Sequence, residues 1–136
     1  MANALYGKFK ERILGATAVD LVGADIKAVC VDSEEYTPAL STDEFLSDIA
    51  AGGRVATSGN LAGKSITLGV FDADDVVISS VTGDQFEYIV LYIDTGNAAT
   101  SRLICIFDTA TGLAYTPSGG NITITWDSGA NKIFRL

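Results

Sequence analysis

The sequence predicts an all-β, mainly antiparallel domain of the β-sandwich or jelly-roll kind, with a short N-terminal helix and one short helix near residues 42–50. Three observations carry that prediction. Two unbroken apolar runs, YIVLYI at 88–93 and LICIF at 103–107, are strand-length and rich in β-branched and aromatic residues. A strict alternation follows, Ile122, Ile124 and Trp126 against Thr123 and Thr125, which fits a strand with one packed face and one wet face. Turn signals at Gly83, Gly96, Gly112, Gly119 and Gly129 recur roughly every ten residues, as in a sandwich or barrel and unlike alternating βα units.

Taken in order, residues 4–14 place Leu5, Phe9 and Ile13 at spacings of four, with Tyr6 beside them, Lys8, Glu11 and Arg12 elsewhere, and Gly15 as a stop. That pattern predicts a short amphipathic helix within an N-terminal helix or arm spanning 1–23. Three turns are marginal alone, so the helix is expected to dock on its own domain, with an arm reaching a neighbouring subunit as the alternative. DIKAVCVD at 25–32 is the first strand. Ser41 opens a capping box with Glu44, and Phe45, Leu46 and Ile49 form the apolar face of the second helix, which Gly52 and Gly53 end. Strands are expected at 54–57 and 65–71, with Ile66, Leu68 and Val70 on one face. A turn at 72–75, a strand at 76–81 and a turn at 82–84 lead into the apolar runs. At the end, Trp126 is expected in the core, and a Gly/Asn turn at 127–131 returns Ile133, Phe134 and Leu136 against the 122–126 strand.

The 136 residues suit a single domain, 1–136, with a real core. Hydrophobic residues make up 48% and charged residues 19%, an apolar surplus that predicts surface covered by another chain, including copies of itself as a dimer or trimer. No apolar run approaches bilayer length, so no membrane span is expected. A net charge of −8 opposes binding to nucleic acid. Residues 1–23 lack the basic, apolar and small-residue succession of a signal peptide, because Asp20 interrupts the apolar run. Cys30 and Cys105 lie inside apolar strands and read as small buried hydrophobes, with their pairing left open.

The chemistry-bearing motifs are weak. SGNLAGKS at 58–65 resembles a phosphate-binding loop but has Ser58 in place of the first glycine, and the two-residue period that follows Lys64 predicts a strand where the phosphate loop requires a helix. Asp72, Asp74 and Asp75 cluster without the ligand spacing of an EF-hand and read as a solvated turn. The chain has no histidine, which excludes the Ser-His-Asp triad, the Cys-His pair and His-ligated zinc. Asn121 begins a glycosylation triplet that carries no weight without a secretory signal. Trp126, Tyr115 and Phe134 offer a sugar-stacking platform as an alternative to structural anchors. No catalytic, cofactor-binding or metal-ligating residue is assigned, no cofactor is expected, and the chain does not read as an enzyme.

Several blocks nevertheless resemble a family of small virion structural proteins of tailed bacteriophages and prophages: DIKAVCVD from Asp25, YTPALSTDEFLSDI from Tyr36, AGGRVATSGNLAGK from Ala51, DADDV from Asp72, and DTATGLAYTPSGGNITITWDSGANKIFRL from Asp108. The resemblance covers 25–136, with the last block the most specific; GATAVDLVGA replaces the family's usual N-terminal segment. It implies a non-enzymatic capsid decoration or cement protein, located on the virion and bound to the major capsid protein. A tail, connector or fibre component and a carbohydrate-binding adhesin are the alternatives.

Overall fold

The computed structural model describes residues 3–15 and 19–136. The remaining positions of the predicted arm, 1–2 and 16–18, lie outside the described residues. The all-β prediction holds. The described strands are β1 (Ala4–Leu5), β2 (Ile26–Val31), β3 (Arg54–Thr57), β4 (Ser65–Thr67), β5 (Val70–Asp72), β6 (Val76–Ile78), β7 (Tyr88–Ile93), β8 (Arg102–Phe107), β9 (Ile122–Ile124) and β10 (Phe134–Arg135), with one α-helix, α1 (Gly7–Leu14). They form a five-stranded sheet in the order β1-β8-β7-β2-β3, a three-stranded sheet β10-β5-β4 and a two-stranded sheet β6-β9. Every described pairing is antiparallel.

The continuous apolar runs become β7 and β8, the middle of the large sheet. Both of its faces are covered, which is why these strands do not alternate. Residues paired across strands share a face. Phe107 lies opposite Ile89, and the Trp126 ring packs against Phe107 with centroids 6.0 Å apart. On the other face Tyr88 receives the ring of Tyr36 edge-on at 6.5 Å. Val29, Val90, Leu91, Ile104 and Ile106 between these covers are fully buried.

Two cysteines are embedded in this sheet. Cys30 on β2 lies opposite Ile89, and Cys105 on β8 lies opposite Leu91, so β7 separates them. Two strand spacings are about 10 Å, too far for a disulfide without backbone movement. Burial pushes the Cys30 thiol up to about 12 and raises that of Cys105 as well. Both thiols are therefore expected to resist a thiol reagent until the protein unfolds, and the melting temperature should be the same with and without reductant. Prompt modification of either cysteine in the folded protein would contradict this packing.

The N-terminus departs from the predicted helix in its first two residues. Ala4 and Leu5 pair with Ile106 and Cys105 as an edge strand, because the free edge of β8 offers backbone partners that the first turn of a helix leaves unsatisfied. The helix proper starts after Tyr6, whose backbone N–H donates to the Ile104 carbonyl at 3.0 Å, and Gly7 N–H donates to the Leu40 carbonyl at 2.6 Å. Helix α1 docks on its own chain through Phe9, buried and edge-on to Phe134 at 6.2 Å.

The predicted helix near 42–50 is corrected to irregular structure with two 3-10 turns, Leu46–Asp48 and Ala51–Gly53. The Ser41–Glu44 capping box does not form. Leu103 N–H donates to the Glu44 carbonyl at 2.9 Å, Leu46 N–H to Ser101 and Ser47 N–H to Ala98. These long-range bonds use the backbone groups a helix would need. Asp48 supplies the local cap instead, accepting from the N–H groups of Glu44 and Phe45 at 2.8 and 2.9 Å.

One ion pair joins the start of β2 to the end of β7 in the large sheet. Lys27 Nζ lies 2.8 Å from Asp94 Oδ2, and the hydrogen bond from Lys27, helped by Gly96 N–H, holds the Asp94 carboxyl below its ordinary value of 3.8. A depressed folded value means the contribution is complete above the unfolded value and disappears as pH falls through the folded one. Both groups are solvent-accessible, so Asp94→Asn should cost no more than about 1 kcal/mol near neutral pH. That cost should vanish in acid unfolding curves below the carboxylate range. A cost persisting there would assign it to something other than the pair.

Candidate contact surface

The segment predicted as one strand over 65–71 is two strands. Thr67 pairs with Val70 and Ser65 with Asp72, leaving Leu68 and Gly69 as a two-residue hairpin turn. Both turn residues have positive φ, 51° and 79°, the primed geometry that matches strand twist. Leu68 thus leaves the face it was expected to share with Ile66 and Val70, and its side chain is 93% exposed. Gly69 suits the turn through its φ, and a Cβ there would also crowd the Leu136 carbonyl oxygen at 3.3 Å. Leucine in the left-handed region costs on the order of 1 kcal/mol, and at this exposure its side chain gains almost no burial in return.

The C-terminus packs on this hairpin. Phe134 and Arg135 pair with Phe71 and Val70, which corrects the expected return against the 122–126 strand. That strand already pairs with β6 through Ile122 and Ile124. Phe134 stacks on Phe71 at 5.4 Å, while Ile133 is buried. Beside them α1, the hairpin and β10 enclose an open groove of about 340 Å³, lined by Phe9, Ile13, Ile66, Phe71, Phe134 and Leu136 with Gly15, Val19, Leu21 and Gly69. None of these side chains titrates. Ile66, Leu136, Leu68 and Leu14 are 50%, 62%, 93% and 87% exposed, so apolar surface extends beyond the groove.

The residues weighed as chemical candidates are dispersed. Asp72 lies 4.0 Å from Lys132; Asp74 offers its carbonyl to Trp126 Nε1 at 3.0 Å, and Asp75 Oδ1 accepts Trp126 N–H at 3.0 Å. Together they brace the C-terminal segment. Among the described residues no group of three or more His, Cys, Asp or Glu is arranged to hold a metal ion. In the SGNLAGKS segment the buried Ser58 Oγ accepts from Ala28 N–H at 2.9 Å and Leu61 N–H donates to the Ile26 carbonyl. It therefore runs along β2, Lys64 donates to the Ala24 carbonyl, and β4 follows. Asn121 Oδ1 accepts from Ser80 N–H at 3.0 Å.

The three aromatics considered as a platform have separate partners: Trp126 with Phe107, Tyr115 with Phe86, Phe134 with Phe71. Trp126 is half-buried at the edge of the core. Sequence reasoning missed a buried relay in which Tyr6 and Tyr36 hydroxyls lie 2.9 Å apart and Tyr36 donates to Asp43 Oδ2 at 2.7 Å. Burial raises both phenols, so they stay protonated and tie α1 to the 36–43 loop. Nothing in the spacing of residues 6, 36 and 43 announces that contact.

No family model matches the chain, and no curated protein matches it. Among the described residues no helix is long and apolar enough to cross a membrane.

Proposed function

We propose that this chain is a non-enzymatic assembly subunit, acting as a capsid decoration or cement protein that binds and stabilises the major capsid protein shell of a tailed phage. The observation that supports an assembly role is the untitratable apolar groove and its exposed rim of Ile66, Leu68, Leu136 and Leu14. Apolar surface of this kind marks a place where another molecule binds, and a partner protein is the cover that this reading gives it. The virion setting is supported by the sequence blocks at 25–32, 36–49, 51–64, 72–76 and 108–136. A shell-bound protein works through contact area, and a rigid sheet covered on both faces supplies a frame for it.

The test is addition of purified protein to shells that lack it. Binding should saturate at a simple ratio to the shell protein and raise the temperature at which the shells disrupt. Saturation at a few copies per particle would favour a tail or connector component, and no binding would overturn the virion reading.

A further inference from the structure

The β4–β5 hairpin leaves one backbone edge open. A two-residue turn is closed by a hydrogen-bonded pair, here Thr67 and Val70, and bonded and non-bonded pairs alternate from there along the ladder. Ile66, opposite Phe71, is therefore a non-bonded position, so its N–H and C=O point away from β5. Neither group has a hydrogen-bond partner among the described residues. β4 is the outer strand of its sheet, and of the described strands it alone is exposed at every residue. Edge strands are commonly blunted by charge, proline or a bulge. β3, at the edge of the large sheet, has Arg54 and a register shift, and β6 follows Asp74 and Asp75. β4 has no such device: residues 65–71 contain no charged residue and no proline, its pairing with β5 is regular, and its central Ile66 is 50% exposed.

We propose that β4 pairs with β4 of a second copy of this chain, antiparallel about a two-fold axis at Ile66. An open edge recognises an extended backbone, and this edge is complementary to itself. With Ile66 opposite its own counterpart, each N–H donates to the other's carbonyl, and Ser65 lies across from Thr67 in both directions. The axis is perpendicular to the sheet, so two three-stranded sheets become one of six strands with the two Ile66 side chains together on one face. Charge favours this place for a self-contact. At a net charge of −8 two copies repel over much of their surface, whereas residues 63–71 hold no carboxylate. Their one cation, Lys64, falls across from Leu68 and away from the second copy's Lys64. The pairing goes beyond the shell-binding role and does not depend on it.

Sedimentation and amide exchange of the intact protein test it. The wild type should pass from monomer to dimer and no further, at high protein concentration because the contact is short. Added salt should strengthen the dimer by screening the repulsion between copies. The Ile66 amide should exchange freely in dilute solution and slow by about tenfold or more as the dimer forms. Ile66→Pro removes the outward donor and leaves the bonds to β5 in place, so it should sediment as a monomer throughout. Ile66→Cys should cross-link to its counterpart under mild oxidation, since residues opposite in a bonded pair lie about 5.5 Å apart, within disulfide reach. Val77→Cys, on an exposed residue outside the contact, should not. A wild type that stays monomeric at its highest soluble concentration overturns the inference. A dimer whose Ile66 amide stays unprotected, or in which Ile66→Cys does not cross-link, overturns it equally. Protection of that amide only on shells would give the added strand to the shell protein and also overturn the self-pairing. Shell binding by the wild type, measured separately, keeps failure of this contact distinct from failure of the virion reading.

Discussion

A chain shortened to residues 1–131 is expected to lose most of its stability. The cut removes Ile133, which is buried, and Phe134, which bridges Phe71 on the hairpin to Phe9 on α1. It also removes β10, the partner of β5, and the bonds from Ile133 N–H to the Phe71 carbonyl at 3.1 Å and from Leu136 N–H to the Gly69 carbonyl at 2.9 Å. Truncating a buried isoleucine or phenylalanine to alanine costs about 2 to 5 kcal/mol where the cavity cannot close. Phe134 is half-buried, so its share lies at the low end, and the combined loss is still about 5 kcal/mol or more, against roughly 5 to 15 kcal/mol for a whole domain. Urea unfolding of the shortened chain should show a collapsed or absent cooperative transition. The milder Phe134→Ala should retain a transition with a loss of about 2 to 3 kcal/mol. A shortened chain as stable as the full one would mean that the hairpin and α1 hold without β10.

Trp126→Ala is expected to lower stability by about 3 kcal/mol, which for a chain of this length lowers the melting temperature by roughly 5 °C or more. The ring packs on Phe107, and its Nε1–H donates to the Asp74 carbonyl at 3.0 Å. Truncation leaves that carbonyl without the indole donor and opens one face of the large sheet. A sugar-stacking tryptophan behaves in the opposite way, since its removal abolishes glycan binding and leaves the melting temperature almost unchanged. Calorimetry and glycan binding on this single variant therefore separate an anchor from a platform. An unchanged melting temperature would remove Trp126 from the packing described here and revive the adhesin alternative.

The parts of the fold legible in the sequence are those in which local pattern and burial agree. β7, and β2 and β8 beyond Lys27 and Arg102 near their starts, are continuous apolar runs because both faces of the sheet are covered, and such a run records that without reference to any partner. The helix expected near 42–50 failed because Ser41 and Glu44 report a local capping preference, while the Glu44 carbonyl and the Leu46 and Ser47 N–H groups are taken by residues more than fifty positions away. The 65–71 segment failed for another reason. Ile66, Leu68 and Val70 keep a two-residue period straight through a hairpin, so the period cannot show the reversal, and Gly69 was the signal that could have. The contact surface was legible only as an apolar surplus in the composition. Its location depends on β10 choosing β5 over the 122–126 strand, and short alternating segments do not encode their partners.

The measurement that bears most directly on the proposed role is the position and copy number of this chain in a density map of purified particles. On the capsid-decoration reading, density matching the five-stranded sheet and its flanking hairpin should cover the outside of the shell, in a simple integer ratio to the shell protein, with neighbouring copies in contact. Finding the chain at a tail or connector in a handful of copies, or absent from purified particles, would contradict that role.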